Sequence, residues 1–166
     1  MIILGIDPGY AIVGYGVVSY ENNKFTPIDF GAITTPAKTD FDKRLLMIKD
    51  GIEEICRKHR IEAASIEKLF FNTNTTTAID VAQARGVIVC TLASNGVPVS
   101  EYTPLQVKQS VTGYGRAEKK QVMEMTRIML GLKSVPKPDD TADALALAIC
   151  HGHSAGSTLG QLYRMR

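Results

Sequence analysis

The sequence predicts one α/β domain built on a mixed sheet with helices on both faces. Two observations predict it. Up to about Thr35, short apolar runs rich in β-formers alternate with turn residues. Beyond that point, apolar runs alternate with segments of helical periodicity. Size agrees: 166 residues, 45% hydrophobic and 22% charged, suit a single globular core.

Ile2 to Asp7 is a short apolar run ended by Pro8-Gly9, a buried strand and a turn. Val13 to Tyr20 reads as a second strand. Glu21-Asn22-Asn23-Lys24 makes a hairpin loop into a third, about Phe25 to Thr35, so the first three strands form an antiparallel meander. Thr39 offers an N-cap. Phe41, Leu45, Ile48, Ile52 and Ile55 then mark one face of an amphipathic helix to about Arg60. Ala63 to Glu67 is a strand, and Thr76 to Asn95 a long helix stopped by Gly96. Val97 to Tyr102 is the fifth strand. Pro104 opens a short helix to about Thr112, broken by Gly113-Tyr114-Gly115. Glu118 to Leu130 and Asp139 to His151 complete the helices, with Pro136 and Pro138 between them. The late strands follow helices and should be parallel. In such sheets ligand chemistry gathers outside the carboxyl ends of the strands.

Several classes are excluded. No run approaches the ~18 apolar residues of a membrane span. No basic leader or cleavage signature precedes the first strand, so a cytoplasmic location is expected. Cys56, Cys90 and Cys150 are far apart and odd in number, which argues against a disulfide framework or a zinc site. Each has apolar neighbours and reads as a small buried hydrophobe. His59 reads as a solvated helix residue, His151 and His153 as tail residues. The net charge of +2 permits a polyanionic partner without demanding one.

The carboxylates carry the functional reading. Asp7 ends the first strand, where it either caps the Pro8-Gly9 turn or serves a site. Glu67 ends the fourth strand at the same sheet edge. The last helix begins Asp139-Asp140-Thr141-Ala142-Asp143 and is apolar all round thereafter, so it should be buried. Asp140 and Asp143 share a helical face. The helix dipole favours each by ~0.3–1 kcal/mol, too little to hold several carboxylates together against a hydrophobic helix. A divalent cation would. Oxygen-only donors at this density suit Mg²⁺ or Mn²⁺, and four carboxylates can hold two such ions for phosphodiester hydrolysis.

Five segments together resemble a known family. ILGIDPG, IEKLFF, AQARGV, EYTPLQVKQSVTGYGRAEKKQV and DDTADALALAICH, in this order, are similar to the RuvC family of bacterial Holliday-junction resolvases. The likeness runs from Met1 to about His153. It implies an RNase H-like fold and a homodimer. It also implies Mg²⁺-dependent nicking of two opposed strands of four-way junction DNA in recombination and repair, in partnership with RuvA and RuvB. The family's catalytic, metal-binding carboxylates fall on Asp7, Glu67, Asp140 and Asp143. The domain is then 1–153, and the Gly/Ser-rich tail 154–166 is expected to be disordered.

DNA contacts are expected at four places. Phe70 follows the acidic strand end, where an aromatic ring could stack on a base. Lys108, Arg116 and Lys119 surround a glycine loop feeding a helix N-terminus, a reasonable phosphate site. The resemblance favours Phe70, Lys108 and Lys119 for this role. On the second long helix, Ile79, Ala82, Gly86, Val89 and Ala93 form a stripe, which either packs on its own sheet or, as the resemblance implies, meets a second copy. The Arg57-to-Arg60 cluster reads as structural. Three other readings remain open: an RNA-processing nuclease, an actin- or sugar-kinase-like ATPase, and a non-catalytic junction-binding module. The ATPase reading lacks a second glycine-rich phosphate loop.

Overall fold

A computed structural model describes residues 1–69 and 75–155. Its strands are β1 (Ile2–Asp7), β2 (Ile12–Glu21), β3 (Lys24–Thr34), β4 (Ala63–Glu67) and β5 (Val99–Tyr102). Its helices are α1 (Phe41–Lys58), α2 (Thr75–Ser94), α3 (Pro104–Thr112), α4 (Lys119–Met129) and α5 (Asp139–Ala155). The sheet order is β3-β2-β1-β4-β5. β1, β2 and β3 pair antiparallel, whereas β4 lies parallel to both β1 and β5. This is the mixed sheet the sequence predicts, with an antiparallel half and a parallel half.

The period-2 alternation of the strands divides the core in two. Leu4, Ile6, Val13, Val17, Ala64 and Ile66 pack under α1 and α2, against Ile48, Ile52, Ile88 and Leu92. Ile3, Val18 and Phe25 face the other way, against α3, α4 and α5. From Ala144 to Gly152 every residue of α5 is buried, as expected for a helix apolar on all sides.

Several local expectations need correction. The N-cap of α1 is Asp40 rather than Thr39, whose N–H donates to the Pro36 carbonyl in a turn. Asp40 accepts the first helical bond from Arg44 N–H, and its carboxylate pairs with Lys43. β5 starts at Val99 because Val97 N–H returns to the Leu92 carbonyl, closing α2 around the positive-φ Gly96. α5 continues to Ala155, so His151 and His153 are helical rather than part of a tail. His151 is buried, with Nδ1 3.0 Å from the Tyr102 hydroxyl. His153 lies edge-on to Phe25 and beside Ser110. His59 is not solvated: it caps α1 and, with Lys58, binds the Asp29 carboxylate across to β3. Of the cysteines only Cys150 is buried, and Cys90 is exposed. Residues 156–166, most of the expected tail, lie outside the described residues.

One buried cation braces the sheet edge near the end of β1. Arg44 donates from Nε to Thr35 Oγ1 at 2.9 Å and from Nη2 to the Thr35 carbonyl at 3.3 Å. Its guanidinium carbon sits 3.7 Å from the Tyr10 ring centroid. Thr35 Oγ1 in turn donates to the Tyr10 carbonyl. The turn after β1 is thus tied to β3 and α1.

Candidate active site

Strand parity selects the face on which the acids stand. In β1, Leu4 and Ile6 point toward α1 and α2, so Gly5 and Asp7 point toward α5. In β4, Ala64 and Ile66 point the first way, so Ser65 and Glu67 point the second. The two strands are parallel with Ile6 beside Ile66. Asp7 and Glu67 therefore end side by side at the carboxyl edge of the sheet.

The N-terminus of α5 reaches the same edge because the strands beneath it lack side chains. A Cβ on Gly14 would collide with the Asp140 carbonyl, and one on Gly5 with the Ala144 carbonyl. One on Gly16 would lie 2.6 Å from Leu145 Cδ2. Asp140 thus lies directly over Gly14, the β2 residue paired with Asp7. Thr141, fully buried, donates from its hydroxyl to the Gly31 carbonyl at 3.0 Å and pins the first turn to β3. Asp143 follows three residues on, along the same helix face.

The electrostatics show that the four acids share one field. The Asp7 carboxyl is pushed up from 3.8 to about 7, first by burial and then by the charges of Glu67, Asp143 and Asp140. Glu67 is raised too, by burial and then by Asp143. Lys119 acts against both shifts. Its Nζ is 2.8 Å from Asp143 Oδ2 and 3.9 Å from Asp139 Oδ2. The hydrogen bond to Asp143 raises the Lys119 ammonium in return. Asp139 itself is held below the usual carboxylate range by its bond to Lys137, outside the group of four.

Oxygen donors that are partly desolvated and mutually repelling fit a hard divalent cation. Among the described residues no three His, Cys, Asp or Glu side chains form a ready ligand set. The arrangement is an open acidic edge on which Lys119 supplies positive charge, rather than a closed cage.

The expected DNA contacts differ in where they stand relative to this edge. Lys119 lies within it. Lys108 is half-buried on α3, and Arg116 is exposed in the loop before α4. Neither side chain has a hydrogen bond or ion pair among the described residues. The start of α4 is not the bare amide site expected for a phosphate: Glu118 stands at its N-cap, and Gln121 Oε1 accepts from the Glu118 N–H at 2.8 Å. An acid at that position repels an anion, which leaves attraction there to the cations. Phe70 lies outside the described residues.

On α2, Ile79, Gly86 and Ala93 face outward, with Ile79 67% exposed and open space beside Gly86. Val89 departs from the expected stripe and packs partly into the core beneath α2.

Three features of the edge were not singled out in advance. The glycines at 14 and 16 were legible as a period-2 gap in an apolar strand. Thr141 had no distinguishing signal. Arg85 did have one: it is a lone base among apolar residues in the middle of α2. Its Nε donates to the Glu67 carbonyl at 3.4 Å, and its guanidinium pairs with Glu101 on β5.

Comparison with known proteins gives a consistent result. The family model for the crossover junction endodeoxyribonuclease RuvC matches residues 3–151. The chain is 60% identical over 154 residues to the crossover junction endodeoxyribonuclease RuvC of Clostridioides difficile, covering 93% of this chain and 91% of that one. The Thermus thermophilus RuvC structure superposes with a TM-score of 0.87 at 36% identity, covering 93% and 95%. The structure of T. thermophilus RuvC in complex with a Holliday junction substrate gives 0.88 at 33%, covering 96% and 98%.

Proposed function

This chain belongs to the RuvC family of crossover junction endodeoxyribonucleases, and from that premise we propose that it resolves Holliday junctions by paired, metal-dependent nicking at the edge formed by Asp7, Glu67, Asp140 and Asp143. The observation that carries this reading is the common field of the four acids. The charge of Asp143 raises the carboxyl of Asp7, 136 positions away in the chain, at one sheet edge.

Divalent cations, Mg²⁺ or Mn²⁺ and in our reading two per site, would supply Lewis acidity and an activated water for in-line hydrolysis. The residues that would hold them are the four carboxylates. Asp7 and Glu67 stand on strand ends and Asp140 and Asp143 on the first turns of a buried helix, all rigid supports. Asp7 must give up its proton to serve as a ligand, since burial and its neighbours favour the neutral acid. Lys119 offsets negative charge at the edge and is placed to exchange Asp143 for a phosphate oxygen. Lys108 and Arg116 are the further cations we assign to the DNA backbone, and Phe70 follows Glu67 closely enough in sequence to meet a base at the junction. A four-way junction needs two cuts related by two-fold symmetry, which a C₂ homodimer provides. The outward stripe of α2 is the surface that suits such a dimer. We further infer cooperation with RuvA and RuvB and a cytoplasmic setting, a reading that family membership supports.

The test is nicking of a synthetic four-way junction with and without Mg²⁺, beside linear duplex, single-strand and RNA substrates. Symmetric nicks in the junction alone, only with metal, are expected. Equal cutting of linear duplex, or preferential degradation of RNA, overturns the reading.

A further inference from the structure

Glu67 needs a donor for its backbone carbonyl, and the sheet does not supply one. Ala64 and Lys68 donate their N–H groups to the Pro98 and Tyr102 carbonyls, so even-numbered residues of β4 bond toward β5. The odd-numbered residues therefore bond toward β1. With Ile6 beside Ile66, the Glu67 carbonyl would receive the N–H of the residue after Asp7. That residue is Pro8, which has no N–H. Pro8 is also buried, where water cannot readily serve instead.

Arg85 fills the gap. It lies on α2 between the inward residues Ala84 and Ile88 and the outward Gly86, and reaches over the ends of β4 and β5. Its Nε donates to the Glu67 carbonyl, while its other end pairs with Glu101, the β5 residue beside Ile66. A planar guanidinium held at both ends is a stiff strut.

We propose that Arg85 is the positioning residue of Glu67: it supplies the backbone donor that Pro8 withholds, and so fixes the peptide from which the Glu67 carboxylate projects toward the metal edge. This rests on the reading of Glu67 as a ligand. It makes α2 part of the active-site framework. The Pro8 that shapes the turn after Asp7 and the arginine on a distant helix become one device, each explaining the other.

The test uses the full-length protein and two readouts: the Mg²⁺ midpoint for junction nicking, and the Mg²⁺-induced rise in Tm without DNA. Arg85→Ala should raise both midpoints about 10-fold, the usual cost of losing a partner behind a metal ligand. Junction binding in metal-free buffer should stay as in the parent. Arg85→Lys, a single flexible donor, should fall between, and it carries the test if Arg85→Ala fails to fold. Pro8→Ala restores a backbone N–H aimed at the same carbonyl. Combined with either arginine variant, it should bring the midpoint back toward the parent value. Parent-like midpoints in both arginine variants overturn the proposal, as does a Pro8→Ala double variant no better than the single one. A parent protein that does not nick junctions refutes instead the function proposed above, and the Tm readout still reports on Arg85.

Discussion

Replacing Asp7 by asparagine should stop nicking and, in metal-free buffer, make the protein more stable. The carboxyl lies at about 7 in the fold against an ordinary 3.8. A group whose folded value is raised favours the folded state only while it is protonated. Its contribution is intact below 3.8 and is lost as pH rises through about 7. The full loss is bounded by about 4 kcal/mol, at 1.36 kcal/mol per pH unit. Relaxation of the edge makes about 2 kcal/mol a reasonable expectation. For a domain of this size that is about 4–8 °C in Tm. Thermal melts of parent and Asp7→Asn in chelator should therefore diverge with pH. At pH 5 only about 40% of the gap should be present, and at pH 8 all of it. Added Mg²⁺ should narrow or reverse the gap, because ligation stabilises the parent more than the variant. A variant that melts at or below the parent in chelator at pH 8, or a gap equal at pH 5 and pH 8, refutes the electrostatic account of the site.

Three further outcomes follow from contacts described above. Lys119→Ala should weaken junction binding and reduce the salt dependence of log K by about one unit of slope; an unchanged slope removes Lys119 from the DNA contacts. Gly14→Ala places a methyl against the Asp140 carbonyl and should cut the nicking rate by about 100-fold, with helix content retained in circular dichroism; parent-like rates would show that α5 tolerates displacement. Arg44→Ala removes two hydrogen bonds and the guanidinium over Tyr10 and should cost about 2 kcal/mol in urea unfolding; a loss under about 0.5 kcal/mol would show that the brace is redundant.

Much of this was readable in the chain itself. Local patterns suffice where one residue type meets one requirement: Ile2 to Ile6 must be a buried strand, and a helix apolar from Ala144 to Ile149 must lie inside. The acids were legible because a charge at the end of a buried strand or at the start of a buried helix is costly without a partner. Contacts that depend on register were not. Nothing in the local sequence says that Gly14 pairs with Asp7 under Asp140, or that Arg85 reaches the Glu67 carbonyl from a helix on the opposite face. Short polar capping choices failed likewise: Thr39 and Asp40 are equally good N-caps by type, and the turn at Pro36 decided between them. The tail reading of His151 and His153 fails because the helix runs on through Gly152. That glycine is a point of close approach, where a Cβ would strike the Phe25 ring.

The bare strip of backbone under α5 has a further consequence. A helix resting on side chains can settle by rotamer adjustment, but one resting on peptide groups has nothing soft beneath it. A methyl introduced at Gly5 or Gly14 meets helix backbone and would act as a shim at a known distance from the aspartates. Such variants would lift or tilt the two helix-borne acids in graded steps while the strand-borne pair stays still. The spacing between two halves of a metal site then becomes an adjustable quantity, and ion preference between small Mg²⁺ and larger cations could be mapped against it.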